Sequence, residues 1–99
     1  MDKDIKDINP IELCKKNKNL LVPWYLMACY MYYQQLESIM SDSEFDSICK
    51  DLNKHWNSIE HRHKDLIDKG SLDAGTGYQI RFYPTMVKGA AYEYFLSRQ

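Results

Sequence analysis

Apolar positions recur at helical spacing in three stretches of this 99-residue chain. After Pro23, Tyr25, Cys29, Tyr32 and Leu36 form one stripe at spacings of four, three and four, and Leu26, Tyr30 and Tyr33 form an adjacent one. A helix apolar nearly all round belongs at the centre of its fold. The second stretch is Phe45, Ile48, Cys49, Leu52, Trp56 and Ile59, one face of an amphipathic helix running to about Ile59. Ser41, followed three residues later by Glu44, predicts a capping box at its start. The third stretch follows Pro84 and holds Met86, Val87, Ala90, Ala91, Tyr94 and Phe95. Gly89 costs that last helix about 1 kcal/mol in propensity, which predicts a close helix contact there.

Weaker signals fill the remainder. Pro10 suits the first turn of a short helix to about Asn17. Residues 61–69 add a helical stretch closed by Gly70, and Ser71–Gly77 reads as a loop. Tyr78, Ile80 and Phe82 alternate, as in a short strand or extended crossing over 78–83. The expected fold is mainly α, a small single domain over 1–99. It is built on an antiparallel helical hairpin at 20–60, with a charged, frayed segment at 1–9 and a loop plus C-terminal helix at 71–99.

Composition supports a real core. Apolar residues are 44% and aromatics 13% of the chain, and a chain of this length can bury roughly 60–65% of its unfolded surface. Thirteen basic and fourteen acidic residues leave a net charge of −1. That lacks the basic field of non-specific nucleic-acid binding, so no direct nucleic-acid contact is expected. Residues 36–51 hold Glu37, Asp42, Glu44, Asp46 and Asp51 against Lys50 alone, a balance of −4 that repels phosphate. Cys14, Cys29 and Cys49 are odd in number and lack C-x-x-C spacing, which fits a reducing compartment better than a disulfide framework. The apolar run from Leu20 to Tyr33 is too short to span a bilayer, and the charged N-terminus shows no signal peptide. A cytoplasmic protein without membrane association is expected.

The chemistry gathers where the second helix meets the third. A connection of about five residues joins them as a hairpin. Tyr32 and Tyr33 then lie beside Asp42, Phe45 and Asp46, which share a helix face at spacings of three and four. Three rings and two carboxylates suit a flat, positively charged heteroaromatic ring. The rings stack on it, at about 0.5–2 kcal/mol per cation–π contact. The carboxylates offset its charge and accept hydrogen bonds from an amide or ribose. A nicotinamide nucleotide has all of these features.

Tyr32-Tyr33, eight further residues, then Asp42-Ser43-Glu44-Phe45-Asp46 resembles the N-terminal nicotinamide-binding domain of bacterial NAD-dependent DNA ligases. That domain carries Tyr-His, eight residues, then Asp-x-Glu-Tyr-Asp and a Leu-rich amphipathic helix. The resemblance covers about residues 20–60. It implies recognition of the nicotinamide mononucleotide (NMN) half of NAD. Tyr32, Asp42 and Asp46 match in kind, whereas Tyr33 replaces a histidine and Phe45 a tyrosine. Both replacements keep a ring but alter polar contacts. The Lys-x-Asp-Gly nucleophile motif of the ligase reaction does not occur in the chain, and Lys88-Gly89 is no substitute. The resemblance therefore implies a stand-alone, non-catalytic module that takes NMN or NAD as a ligand and holds no tightly bound cofactor. Such a module fits a phage genome, acting then in the host cytoplasm. The alternative is a protein-interaction or inhibitor module that uses the hairpin as a scaffold and its acidic patch against a protein partner.

Other constellations read more plainly as structure. His55, His61, His63 and Cys49 lack metal-ligand spacing, so no metal site is expected. Gly75-Thr76-Gly77 is a turn rather than a phosphate loop. Arg81 and Lys88 meet a nucleotide phosphate only if the C-terminal segment folds over the hairpin mouth. No catalytic serine or cysteine arrangement is evident.

Overall fold

The computed structural model describes the backbone of residues 9–74, 80 and 82–97, and the side chains of all of these except 73 and 74. Within them the protein is mainly α-helical. The helices are α1 (Pro10–Lys16), α2 (Leu21–Cys29), α3 (Asp42–Lys54), α4 (Lys69–Ala74) and α5 (Thr85–Ser97). A π-helical turn, Tyr30–Gln34, continues α2 directly. The frayed segment expected at 1–9 falls outside the described residues except for Asn9, which is ordered as the cap of α1. The Gly75–Gly77 turn also lies outside them, as do residues 78, 79 and 81 of the expected extended segment. There is no strand among the described residues, and Ile80, Phe82 and Tyr83 carry no regular structure. No helix among them is long and apolar enough to cross a membrane.

Local chemistry starts each helix. The Asn9 side chain accepts the Ile11 and Glu12 N–H groups, and Pro10 stands in the first turn, where a missing N–H costs nothing. A single 3₁₀ turn, Lys18–Leu20, leads into α2, so α2 starts two residues before Pro23. Pro23 still lies in the first turn. Every residue from Trp24 to Cys29 is buried, as the two adjacent apolar stripes require. α3 and α5 both pack on α2, and α4 packs on α3. The Trp24 and Tyr94 rings meet edge to face at 5.0 Å, joining α2 to α5.

α3 ends earlier than its apolar spacing suggests. It stops at Lys54, and Trp56–Ser58 form a 3₁₀ turn before the extended, fully buried Ile59. Lys64 takes up two carbonyls of this following segment. Its Nζ donates to the Trp56 carbonyl at 2.5 Å and the Ile59 carbonyl at 3.0 Å, and lies 4.7 Å from the centre of the Trp56 ring. Lys64 itself starts a 3₁₀ turn, Lys64–Leu66, in place of the continuous helix expected over 61–69.

Gly70 does not close a helix; it lies in the first turn of α4. Asp68 makes the difference, accepting the Gly70 N–H and the Ser71 hydroxyl on its two carboxylate oxygens. Ser71 and Leu72, read as loop, are consequently helical and buried. Gly89 is a second correction. A Cβ there meets nothing within 4 Å among the described residues, so none of them requires the glycine. Gly89→Ala is expected to stabilise the monomer by about 1 kcal/mol through helix propensity alone. Urea unfolding of dilute protein measures this, and a destabilised variant would disprove it.

Candidate ligand pocket

The pocket is made where α2 gives way to α3. In the π turn the backbone takes one residue more per turn than an α-helix, which re-aims the side chains that follow. Tyr32 and Tyr33 stand on this turn. Their rings meet edge to face with centroids 4.9 Å apart and planes at 89°. Tyr32 is 55% exposed and Tyr33 is half-buried. The Met31 carbonyl ends the turn by accepting from both Gln35 N–H at 3.1 Å and Glu37 N–H at 2.9 Å. This closure places Leu36 in the left-handed region at φ 59°, the conformation usually given to glycine after a helix. Leu36 costs about 1 kcal/mol there and points into solvent.

The chain then turns inward at Ile39, which is buried, and out again at Ser41. The capping box forms as its spacing predicts. Ser41 Oγ accepts the Glu44 N–H at 3.2 Å, and Glu44 Oε1 accepts the Ser41 N–H at 2.8 Å. This fixes the first turn of α3, with Asp42 and Phe45 one turn apart. Phe45 lies nearly parallel to the buried Tyr25, at 5.6 Å and 15°.

Between these pieces is a cavity of about 160 Å³. Tyr32, Tyr33, Asp42 and Phe45 all line it, so four of the five residues singled out by the pattern come together. Asp46 does not line it. One turn further along α3, its carboxylate pairs with Lys50 Nζ at 3.0 Å on the exposed side of the helix. Spacing put Asp46 on the correct face, but the pocket spans only the first turn of that face. Among the described residues, Asp42 is therefore the one acidic residue lining this cavity, and no basic residue lines it.

Five further wall residues, Ala28, Cys29, Ser38, Ile39 and Met40, carried no functional signal. Ile39 and Met40 were visible as an apolar pair in an otherwise polar connection, the one hint that the connection turns inward. Burial pushes the Cys29 thiol far above its ordinary pKa, partly offset by a hydrogen bond with Tyr25, so it meets the cavity as a neutral thiol rather than a nucleophile. Cys14, Cys29 and Cys49 are all free and buried.

The remaining candidates stay apart from this site. No group of histidines, cysteines and carboxylates able to hold a metal occurs among the described residues. His61 Nδ1 instead accepts the His63 N–H at 3.1 Å. Burial, with His63 and Arg62 nearby, lowers the His61 pKa. Lys88 is exposed on α5 and does not line the cavity, and Arg81 lies outside the described residues. No protein-family model, curated protein or solved structure matches the chain. The likeness to the ligase domain thus rests on the pattern from Tyr32 to Asp46.

Proposed function

We propose that the protein is a non-catalytic module that binds the nicotinamide ring of NMN or NAD. One observation carries this reading: three aromatic residues, Tyr32, Tyr33 and Phe45, and the acidic Asp42 line a single cavity. Its volume of about 160 Å³ suits one six-membered ring, since a protein cavity of about 150 Å³ accepts benzene. The ribose and phosphate then lie at the mouth, beside the half-exposed Tyr32. Asp42 offsets the pyridinium charge, which a neutral purine does not bring. The acidic-scaffold alternative has less support. Glu44 is engaged in the capping box and Asp46 with Lys50, so part of the acidic segment is already satisfied within the chain.

Calorimetry with NMN, NAD and AMP tests the proposal. Heat is expected with the first two and not with AMP. Tyr32→Ala and Asp42→Asn should each weaken binding about tenfold, the scale of one lost cation–π or charge contact. Asp46→Ala should leave affinity unchanged, because its carboxylate faces Lys50. Folded protein that gives no heat with NMN or NAD ends this reading.

A further inference from the structure

α5 carries two faces. Val87, Ala91 and Tyr94 are buried, and the helix packs on α2 and the π turn. Thr85, Gly89, Tyr92 and Leu96, at spacings of four, three and four, run along the opposite side and are exposed. Tyr92 is 51% and Leu96 52% exposed. Alternating three and four is the seam spacing of a helix that has a helical partner. Gly89 stands mid-seam, and none of the described residues comes within 4 Å of a Cβ placed there, so a second helix axis can approach closely.

The charges of α5 say which partner fits. Lys88 and Glu93 are its two charged residues, and they flank the seam on opposite sides. Five residues apart, they sit about 140° from one another around the helix and cannot pair together. Neither is in an ion pair among the described residues. An offset of five across a seam is the spacing at which flanking charges pair between two parallel helices.

We propose that α5 is a self-association surface, pairing in parallel with α5 of a second copy about a two-fold axis along the helices. Lys88 of each copy then faces Glu93 of the other, twice over. Tyr92 and Leu96 fill the seam, and Thr85 and Gly89 let the axes close. Antiparallel pairing instead sets Lys88 beside Lys88 and Glu93 beside Glu93, so the charges select the parallel arrangement. One thirteen-residue helix face is smaller than a standard interface, which makes the association weak and concentration-dependent.

Sedimentation equilibrium of the full chain, from micromolar to millimolar concentration, tests this. The wild-type protein is expected to show a monomer–dimer equilibrium. Lys88→Glu and Glu93→Lys should each weaken it about tenfold, because each sets like charges opposite one another at two symmetric points. An equimolar mixture of the two variants should recover near-wild-type association, since every acid again faces a base. Far-UV circular dichroism checks that these surface variants keep the fold. A wild-type protein that stays monomeric at millimolar concentration overturns the proposal. So do variants that dimerise as well as the wild type, or a mixture no stronger than its components.

Discussion

Between pH 9 and about 11 the protein is expected to lose several kcal/mol of stability and unfold cooperatively. The cause is the three buried thiols. Burial, with Asp51 nearby, raises Cys14 from 9.0 to about 11. Burial, with Asp46 nearby, raises Cys49 from 9.0 to about 12. Cys29 is raised further still, again chiefly by burial. In the unfolded chain these thiols ionise near 9.0, while in the folded protein they hold their protons. The folded state thus binds more protons above pH 9, and stability falls as pH rises. The contribution is complete below pH 9 and is lost as pH climbs toward the folded values. Each buried thiol loses at most about 1.4 kcal/mol per pH unit, so the three together remove several kcal/mol, a sizeable part of the ~5–15 kcal/mol that holds a domain of this size. Tyr25 and Tyr83 are raised from 10.0 by burial and act in the same direction. Urea midpoints at a series of pH values measure the effect. They should be level from pH 7 to 8 and fall steeply above 9. A midpoint that stays level to pH 10.5 contradicts the burial of these groups.

The starts of α1, α3 and α5 were legible because their causes are local: Pro10, Ser41 with Glu44, and Pro84 each act within one turn of chain. Helix ends were less so. Trp56 and Ile59 keep helical spacing whether the backbone is α-helical or 3₁₀, so periodicity alone could not mark the end of α3 at Lys54. The turn that follows is held by Lys64, eight residues beyond Trp56, and such a contact is not visible in local periodicity. Gly70 was misread because a nearby Asp68 outweighs the usual reading of glycine as a stop.

The pocket divides along the same line. Tyr32, Tyr33, Asp42 and Phe45 meet because a short connection joins two strongly patterned helices. The π turn adds a residue that a period of 3.6 does not contain, and it positions both tyrosines. The inward step at Ile39 follows from that closure and from Leu36 adopting a positive φ, which few sequences announce at leucine. Asp46 shows the limit of face-sharing as evidence. Residues on one face of a helix reach a common site only when that site is as long as their separation.

Tyr25→Ala is expected to cost about 3–5 kcal/mol, the range for removing a large buried aromatic side chain. Tyr25 is fully buried on α2 and supports the Phe45 ring across to α3. Its removal therefore opens a void in the core and takes away the surface that holds one wall of the pocket. Tyr25→Phe keeps the ring and loses only the hydroxyl, which interacts with Cys29, so it should cost about 1 kcal/mol. A double-mutant cycle with Phe45→Leu separates packing from stacking, and a coupling of about 0.5–1.5 kcal/mol is expected for the ring pair. Chemical unfolding at pH 7 gives all three values. A Tyr25→Ala cost below about 1 kcal/mol would show that the ring is not in the core. NMN affinity measured on the Tyr25→Phe protein should equal that of the wild type, because the pocket wall depends on the ring and not on its hydroxyl.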